Sequence, residues 1–369
     1  MAETAGTIKT EYERLGEGTP LLLAWYEGHR RAFPWREEPT PYRIWISEIM
    51  LQQTRIEAAL PYFERFMAAL PTVAALAEAG EERLMKLWEG LGYYSRARNL
   101  QKAAKILMAE YGGELPASYE RLLSLPGIGE YTAGAIASMA YGLPVPAVDG
   151  NVLRVSARLT NDEGDITRAP VKKRLREAVC AMLPPDRPGD FNQAIMELGE
   201  TICLPNTLPL CGDCPLREVC RGRLSGRPER LPVRAEKKAR RVEQRTVLIV
   251  TAAGRVLLRR REDKGLLAGL WELPSAEGWL SPEEAAGIAA GWGARPETAE
   301  PVGPGKHIFS HIEWHMQGVL LHTPPFSPPE RFLWADARQL REETALPSAF
   351  RTYSSRLGQW LERSMESKE

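Results

Sequence analysis

The chain has 369 residues, more than one ordinary domain holds, so two or three domains are expected. With 44% hydrophobic and 26% charged residues it reads as a folded, soluble chain and not a disordered one. Its 48 Lys and Arg balance 48 Asp and Glu, which excludes nucleic-acid binding through a bulk positive field and leaves room for a local basic surface.

Along the chain, residues 1–17 read as a polar tail. It carries Glu3, Glu11 and Glu13 and has no apolar core of a signal peptide. From 18 to 226 the pattern is helix after helix. Apolar positions recur at three- and four-residue spacings through 21–26, 44–51, 59–70, 84–92, 100–111 and 131–141, punctuated by Pro71, Gly80, Gly112, Gly113, Pro116, Gly142 and Pro144. This part is expected to be all-α. No run approaches the roughly 18 apolar residues of a membrane span, so no membrane is expected.

Residues 227–244 hold seven basic and three acidic residues without apolar periodicity and read as a basic linker. Beyond them, 245–369 reads as an α+β domain. The segments 246–251 and 255–260 form a hairpin around Ala-Ala-Gly; 307–310, 313–322 and 331–334 are further strands; Ser281-Pro282-Glu283-Glu284 starts a helix, and 348–362 is a closing one.

Cys203, Cys211, Cys214 and Cys220 give C-x7-C-x2-C-x5-C, close enough to wrap one tetrahedral ion or one cubic cluster; spacing does not separate the two. Cys180, at an apolar helical position in 175–183, reads as core. Arg217, Arg221 and Arg223 around the last two cysteines suit either phosphate contacts or a solvated loop.

Leu125-Pro126-Gly127-Ile128-Gly129 precedes the small residues of 131–135. Glycines before a helix leave amides free for a phosphate, although many such turns only enter a helix. Asp149, in Asp149-Gly150-Asn151-Val152, is a helix cap or a carboxylate beside that turn. Glu48 lies among Ile44, Trp45, Ile49 and Leu51, where a carboxyl holds its proton to higher pH if the site is buried; an exposed polar face is the alternative. Gln52-Gln53-Thr54 at that helix end suits hydrogen bonding to a base step.

The turn at 125–129, the later Asp149, the four-cysteine loop and Glu48-x3-Gln52-Gln53-Thr54 occur in the order of one family. From about residue 20 onward the chain resembles the adenine DNA glycosylases of MutY type. The resemblance implies a multidomain fold. An all-α helix–hairpin–helix glycosylase domain (18–226) carries a [4Fe–4S] cluster on loop 203–220, and a Nudix-like lesion-recognition domain (245–369) follows. It implies that Glu48 protonates adenine N7 and that Asp149 stabilises the oxocarbenium ion, supported by Tyr131 and Asn151. Arg31, Trp35, Arg36 and Gln193 would line the pocket of the flipped adenine. Gln53 with Thr54, Leu91 and Tyr93 would wedge into the helix, the backbone at Gly127 and Gly129 would contact DNA, and Phe309, Ser310 and His311 would sense 8-oxoguanine. Cys203, Cys211, Cys214 and Cys220 would hold the cluster.

The implied partner is double-stranded DNA with 8-oxoguanine:A or G:A mispairs, acted on by a monomer in the cytoplasm, nucleoid-associated in a bacterium. Tyr131 stands where the endonuclease III branch has its Schiff-base lysine, so strand cleavage is not expected. A bifunctional glycosylase/lyase and a non-catalytic cluster-bearing DNA-binding protein are the rival readings. Gly269–Pro274 looks like the opening of a Nudix box, but the following helix supplies only Glu283 and Glu284, which favours recognition over nucleotide hydrolysis. Seven residues separate Cys203 from Cys211 where the family usually has six.

Overall fold

The computed structural model describes residues 14–235 and 239–366. Most of the expected tail 1–17 therefore lies outside the described residues, as do 236–238 of the basic stretch. Two compact units emerge: residues 1–78 with 99–236, and residues 79–98 with 237–369.

In chain order the first helices are α1 (Thr19–His29), α2 (Pro34–Glu37), α3 (Pro41–Leu51), α4 (Ile56–Ala69), α5 (Val73–Glu78), α6 (Glu81–Trp88) and α7 (Ser95–Glu110). They are followed by α8 (Tyr119–Leu123), α9 (Glu130–Tyr141), α10 (Gly150–Thr160), α11 (Ala169–Met182), α12 (Pro188–Thr201) and α13 (Arg221–Leu224). Between residues 14 and 235 the described backbone holds no strand beyond an isolated bridge from Asp165 to Val233. None of the described helices is long and apolar enough to cross a membrane.

Local chemistry sets these boundaries. Thr40 Oγ1 caps α3 by accepting from Arg43 N at 3.3 Å, with Pro41 in the first turn. Gly142, at φ 64°, ends α9 in the left-handed conformation. Helix α9 is central and packs on α3, α8 and α12. Its small residues let backbone approach: a Cβ on Gly134 would stand 2.4 Å from Pro146 O. Fully buried Asn192 on α12 then pins the chain leading to Asp149. Its Nδ2 donates to Ser138 Oγ (2.8 Å) and Val145 O (2.9 Å), and its Oδ1 accepts from Ala147 N at 3.0 Å. Leu22, Tyr26, Val152, Val155, Phe191, Ile195, Leu198 and Leu216 form the core beside it.

Cys180 is exposed, contrary to its reading as core. The buried stripe of α11 runs through Val171, Leu175, Ala178, Val179 and Met182, and position 180 falls off that face.

The second unit is a seven-stranded mixed sheet: β1 (Arg241–Ala252), β2 (Arg255–Arg260), β3 (Trp271–Glu272), β4 (Ser275–Glu277), β5 (Thr298–Ile308), β6 (Ile312–His322) and β7 (Phe332–Asp336). The order is β3-β2-β1-β6-β5, with β4 on β1 and β7 on β2. Only β1 and β6 pair in parallel. Along β1, Val247 and Ile249 face one core with Trp314, Phe350, Tyr353 and Trp360, while Leu248 and Val250 face another with Ala285, Ala289 and Leu321. Helices α14 (Pro282–Ala290), α15 (Ala337–Glu342), α16 (Arg351–Ser354) and α17 (Leu357–Glu366) complete the unit.

Three expectations shift. Strand β1 starts at Arg241, inside the expected linker, because its ladder with β6 runs from Arg241–Ile312 onward, whatever its apolar pattern. The strand expected at 307–310 ends at Ile308, and Phe309 N donates to Ile312 O at 2.8 Å to close a hairpin tip. The closing helix 348–362 breaks into a 3-10 turn, α16 and α17.

Residues 79–98, helical as the sequence reading has them, group with the sheet unit by their contacts. A polar latch runs through this grouping. Lys86 Nζ pairs with Glu89 at 2.6 Å and donates to Leu340 O (2.7 Å) and Thr344 O (3.2 Å) at the C-terminal end of α15. Glu89 Oε1 accepts from Leu346 N at 2.7 Å.

Candidate active site

A cleft of about 1890 Å³, mouth included, opens in the first unit. Helices α2, α3, α9 and α12 supply its walls together with the start of α10. Glu48, on α3, is buried, and Tyr131, on the first turn of α9, donates its hydroxyl to Glu48 Oε2 at 2.5 Å. Burial pushes the Glu48 carboxyl up to about 7, and the charge of Asp149 adds to this; the Tyr131 hydrogen bond and Arg36 pull the other way. Burial likewise raises Tyr131 well above the phenol range.

Asp149 is the helix cap the sequence allowed. It caps α10, with Oδ1 accepting from Val152 N at 2.7 Å, and it faces the cleft. Burial raises its carboxyl, while the Val152 and Asn151 amides and Arg154 oppose the shift. Asn151 lines the same wall.

Arg31, Trp35, Arg36 and Gln193 also line the cleft. Trp35 is buried and stacks on Phe33, and Tyr26 donates to Gln193 Oε1 at 3.1 Å. Two carboxylates absent from the sequence reading hold the arginines. Glu197, 1% exposed, receives Arg31 Nε and Arg36 Nη2 (2.8 Å), and Glu200 pairs with Arg31 Nη2. The signal was available: Gln193, Glu197 and Glu200 stand at helical spacing on one face of α12.

Gln53 and Thr54 lie at the cleft's edge, and Gln52 Nε2 donates to Thr132 Oγ1 at 3.4 Å. Gln53 has φ 60° and Tyr93 has φ 47°, left-handed conformations rare in residues other than glycine and frequent at functional sites. Gly127, at φ 79°, lets the turn close against Asn99, where a Cβ would come within 2.7 Å of Asn99 Cβ; Gly129 faces open space at the start of α9.

The structure does not place every residue of the sequence reading in this cleft. Leu91 and Tyr93 belong to the second unit, as do Phe309, Ser310 and His311. There Tyr93 Oη and Ser310 Oγ are hydrogen-bonded at 2.9 Å. Phe309 is anchored edge-on against Trp314, and Ser310 and His311 are exposed at the hairpin tip.

A separate small pocket is lined by Cys203, Cys211, Cys214 and Cys220, so the extra residue before Cys211 leaves Cys203 beside the other three. Among the described residues no three His, Cys, Asp or Glu side chains come together as a ready-made metal site. Buried Arg158 donates from Nη1 to Cys203 Sγ at 3.1 Å and to Leu204 O at 3.0 Å. Four thiols around a cavity, with a guanidinium donating to sulfur, fit a negatively charged iron–sulfur cluster. Of the neighbouring arginines, Arg217 donates to Gly212 O and Arg223 to Arg217 O.

Residues 46–180 match the profile of the HhH-GPD superfamily base excision DNA repair proteins, and residues 245–356 match the NUDIX domain. Adenine DNA glycosylase of Rattus norvegicus is 36% identical, across 90% of this chain and 77% of that protein. The Homo sapiens protein of the same name is 35% identical, across 90% and 73%. That of Buchnera aphidicola (subsp. Acyrthosiphon pisum) is 32% identical, across 83% and 87%. Among solved structures, a thermostable thymine-DNA glycosylase superposes with a TM-score of 0.52 at 26% identity, covering 57% of this chain and 97% of that one. An endonuclease III trapped in a covalent intermediate with DNA superposes with a TM-score of 0.50 at 24% identity, covering 58% and 98%, and shows the fold alone. The chain is therefore an enzyme of the adenine DNA glycosylase family, a helical HhH-GPD base-excision repair domain followed by a NUDIX domain.

Proposed function

We propose that this enzyme hydrolyses the N-glycosidic bond of adenine mispaired with 8-oxoguanine or guanine in double-stranded DNA. The observation that carries this reading is Glu48: a buried carboxyl pushed to about 7, held by Tyr131, in the same cleft as Asp149. The target adenine must leave the base stack to reach it. Protonated Glu48 gives its proton to adenine N7, and the C1′–N9 bond breaks with its electron pair going to the base. The carboxylate of Asp149 stabilises the resulting oxocarbenium ion. Water then adds at C1′ and loses a proton to a carboxylate of the cleft, leaving free adenine and an abasic site. Arg31, Arg36, Trp35 and Gln193 form the base pocket.

Strand cleavage through a Schiff base needs an amine. Tyr131 has none, and its hydroxyl is engaged with Glu48. The enzyme is thus a monofunctional glycosylase. Cys203, Cys211, Cys214 and Cys220 hold a [4Fe–4S] cluster, which when bound cross-links loop 203–220; a visible charge-transfer absorption in the purified protein tests for it. In the second unit, the tip Phe309-Ser310-His311 reads 8-oxoguanine, with Leu91 and Tyr93 as the strand-probing residues.

The test is adenine release from an 8-oxoguanine:A duplex. Wild type is expected to release adenine, and Glu48→Gln to lose at least about a hundredfold in rate while still binding the duplex. Binding without release by the wild type would instead favour a non-catalytic DNA-binding protein.

A further inference from the structure

Two arginines in a base pocket are a hazard for an acid that must keep its proton. Arg31 and Arg36 both line the Glu48 cleft, and an uncompensated cation there favours the carboxylate. On α12, Glu197 and Glu200 sit one turn apart on the cleft side. Glu197 clasps both arginines and is all but sealed from solvent; Glu200 takes the remaining fork of Arg31 and is about one-third exposed. Arg36 is fixed further by donating from Nη1 to Arg31 O at 3.1 Å and by lying 4.9 Å from the Phe33 ring centre. Two cations thus meet two anions in a closed network.

We propose that Glu197 and Glu200 are positioning residues that neutralise and aim Arg31 and Arg36, so that the pocket receives the base without stripping Glu48 of its proton. The charged and titratable groups lining the pockets that hold Glu48 are Arg31 just before α2 and Arg36 on it, Tyr131 on α9, Asp149 at the start of α10, Glu197 and Glu200 on α12, and also Tyr26, Arg30, Glu37, Arg55, Glu57 and Asp190. The field of Glu200 raises Glu48, Asp149 and Tyr131 alike, while Arg36 lowers Glu48. Removing either α12 charge leaves the net field at Glu48 more positive. The deprotonated form is then favoured, and activity is lost at lower pH on the alkaline side.

The inference rests on Glu48 being the proton donor. Its test is the pH profile of single-turnover adenine release from an 8-oxoguanine:A duplex by wild type, Glu197→Gln and Glu200→Gln. Glutamine keeps hydrogen bonding and removes the charge. Glu200→Gln is expected to match wild type near pH 6 and to fall about threefold below it near pH 8, a shift of about half a pH unit. Glu197→Gln, which unpairs Arg36 and one fork of Arg31, should move the limb in the same direction. Should the buried Glu197 variant fail to fold, Glu200→Gln decides. An alkaline limb that stays in place or moves up, with or without a uniform loss of rate, overturns the proposal. Glu48→Gln separates the two layers: wild-type activity in that variant would remove the acid assignment, whereas an inactive Glu48→Gln beside unmoved limbs removes only the role of α12.

Discussion

Glu48, the proposed proton donor, is a side chain whose burial is costly to the fold once it ionises. A buried carboxyl raised to about 7 binds a proton more tightly in the native chain than in the unfolded one, whose carboxyl titrates near 4.5. Its stabilising effect is complete below the unfolded value and is lost as pH rises through about 7, because ionising it then costs desolvation that unfolding relieves. Glu48→Gln should therefore melt above wild type near pH 8, by an amount worth about 2–3 kcal/mol. The gap should shrink toward pH 5, where Glu48 is already protonated. Thermal melts of the two proteins as purified at the two pH values measure it, and a pH-independent difference would refute the linkage. Sequence placed Glu48 among apolar neighbours and left open whether it was buried; only the packing of α3 on α9 decides that. For Cys180 the same kind of reading went wrong, since one helical position separates the buried stripe of α11 from solvent.

Elements were legible where periodicity was long and where turn chemistry was explicit. Helices α3, α4, α7 and α9 lie close to where apolar spacing put them, and Ser281 builds the capping box its sequence announces, with Glu284. What escaped was set by long-range hydrogen bonding: the early start of β1 on β6, and the latch of Lys86 and Glu89 on residues 340–346. That latch builds the segment bearing Leu91 and Tyr93 into the same unit as the Phe309–His311 tip. Under the proposed function, strand probing and lesion sensing would then act as one element. Changing Phe309, Ser310 and His311 to Ala should lower the preference for 8-oxoguanine:A over G:A several-fold. Lys86→Met, which leaves the Leu340 and Thr344 carbonyls without its ammonium, should lower it in the same direction at a stability cost of about 1–2 kcal/mol. Single-turnover rates on both duplexes measure this, and an unchanged ratio in the triple variant would remove the tip from recognition.

At the scale of the whole chain, zero net charge looks unsuited to a DNA enzyme until the arginines are traced. Of 48 basic residues 37 are Arg, the side chain best matched to bidentate partners. Many are spent inside the protein. Arg31 and Arg36 hold Glu197, Arg154 binds Gly199 O and Cys203 O, and Arg158 binds Pro228 O, Leu231 O and Cys203 Sγ. Arg259 and Arg261 clamp Glu272, the acid of the Nudix-box opening, which with Glu284 committed to its cap leaves that unit poorly furnished to hold magnesium. Composition showed the abundance of arginine, but the internal partners come from distant parts of the chain and appear only in the fold. Fewer cations therefore remain for phosphates than the count suggests, and under the proposed function amides at turns such as Gly127–Gly129 would share the work. Binding to undamaged duplex should weaken with salt at a slope of magnitude below about 5 in log Kd against log salt, equivalent to about five phosphates or fewer. Titrations between about 50 and 200 mM salt measure it. A slope near 10 would mean a continuous cationic track, and the arginines assigned here to internal partners would have to be released to build it.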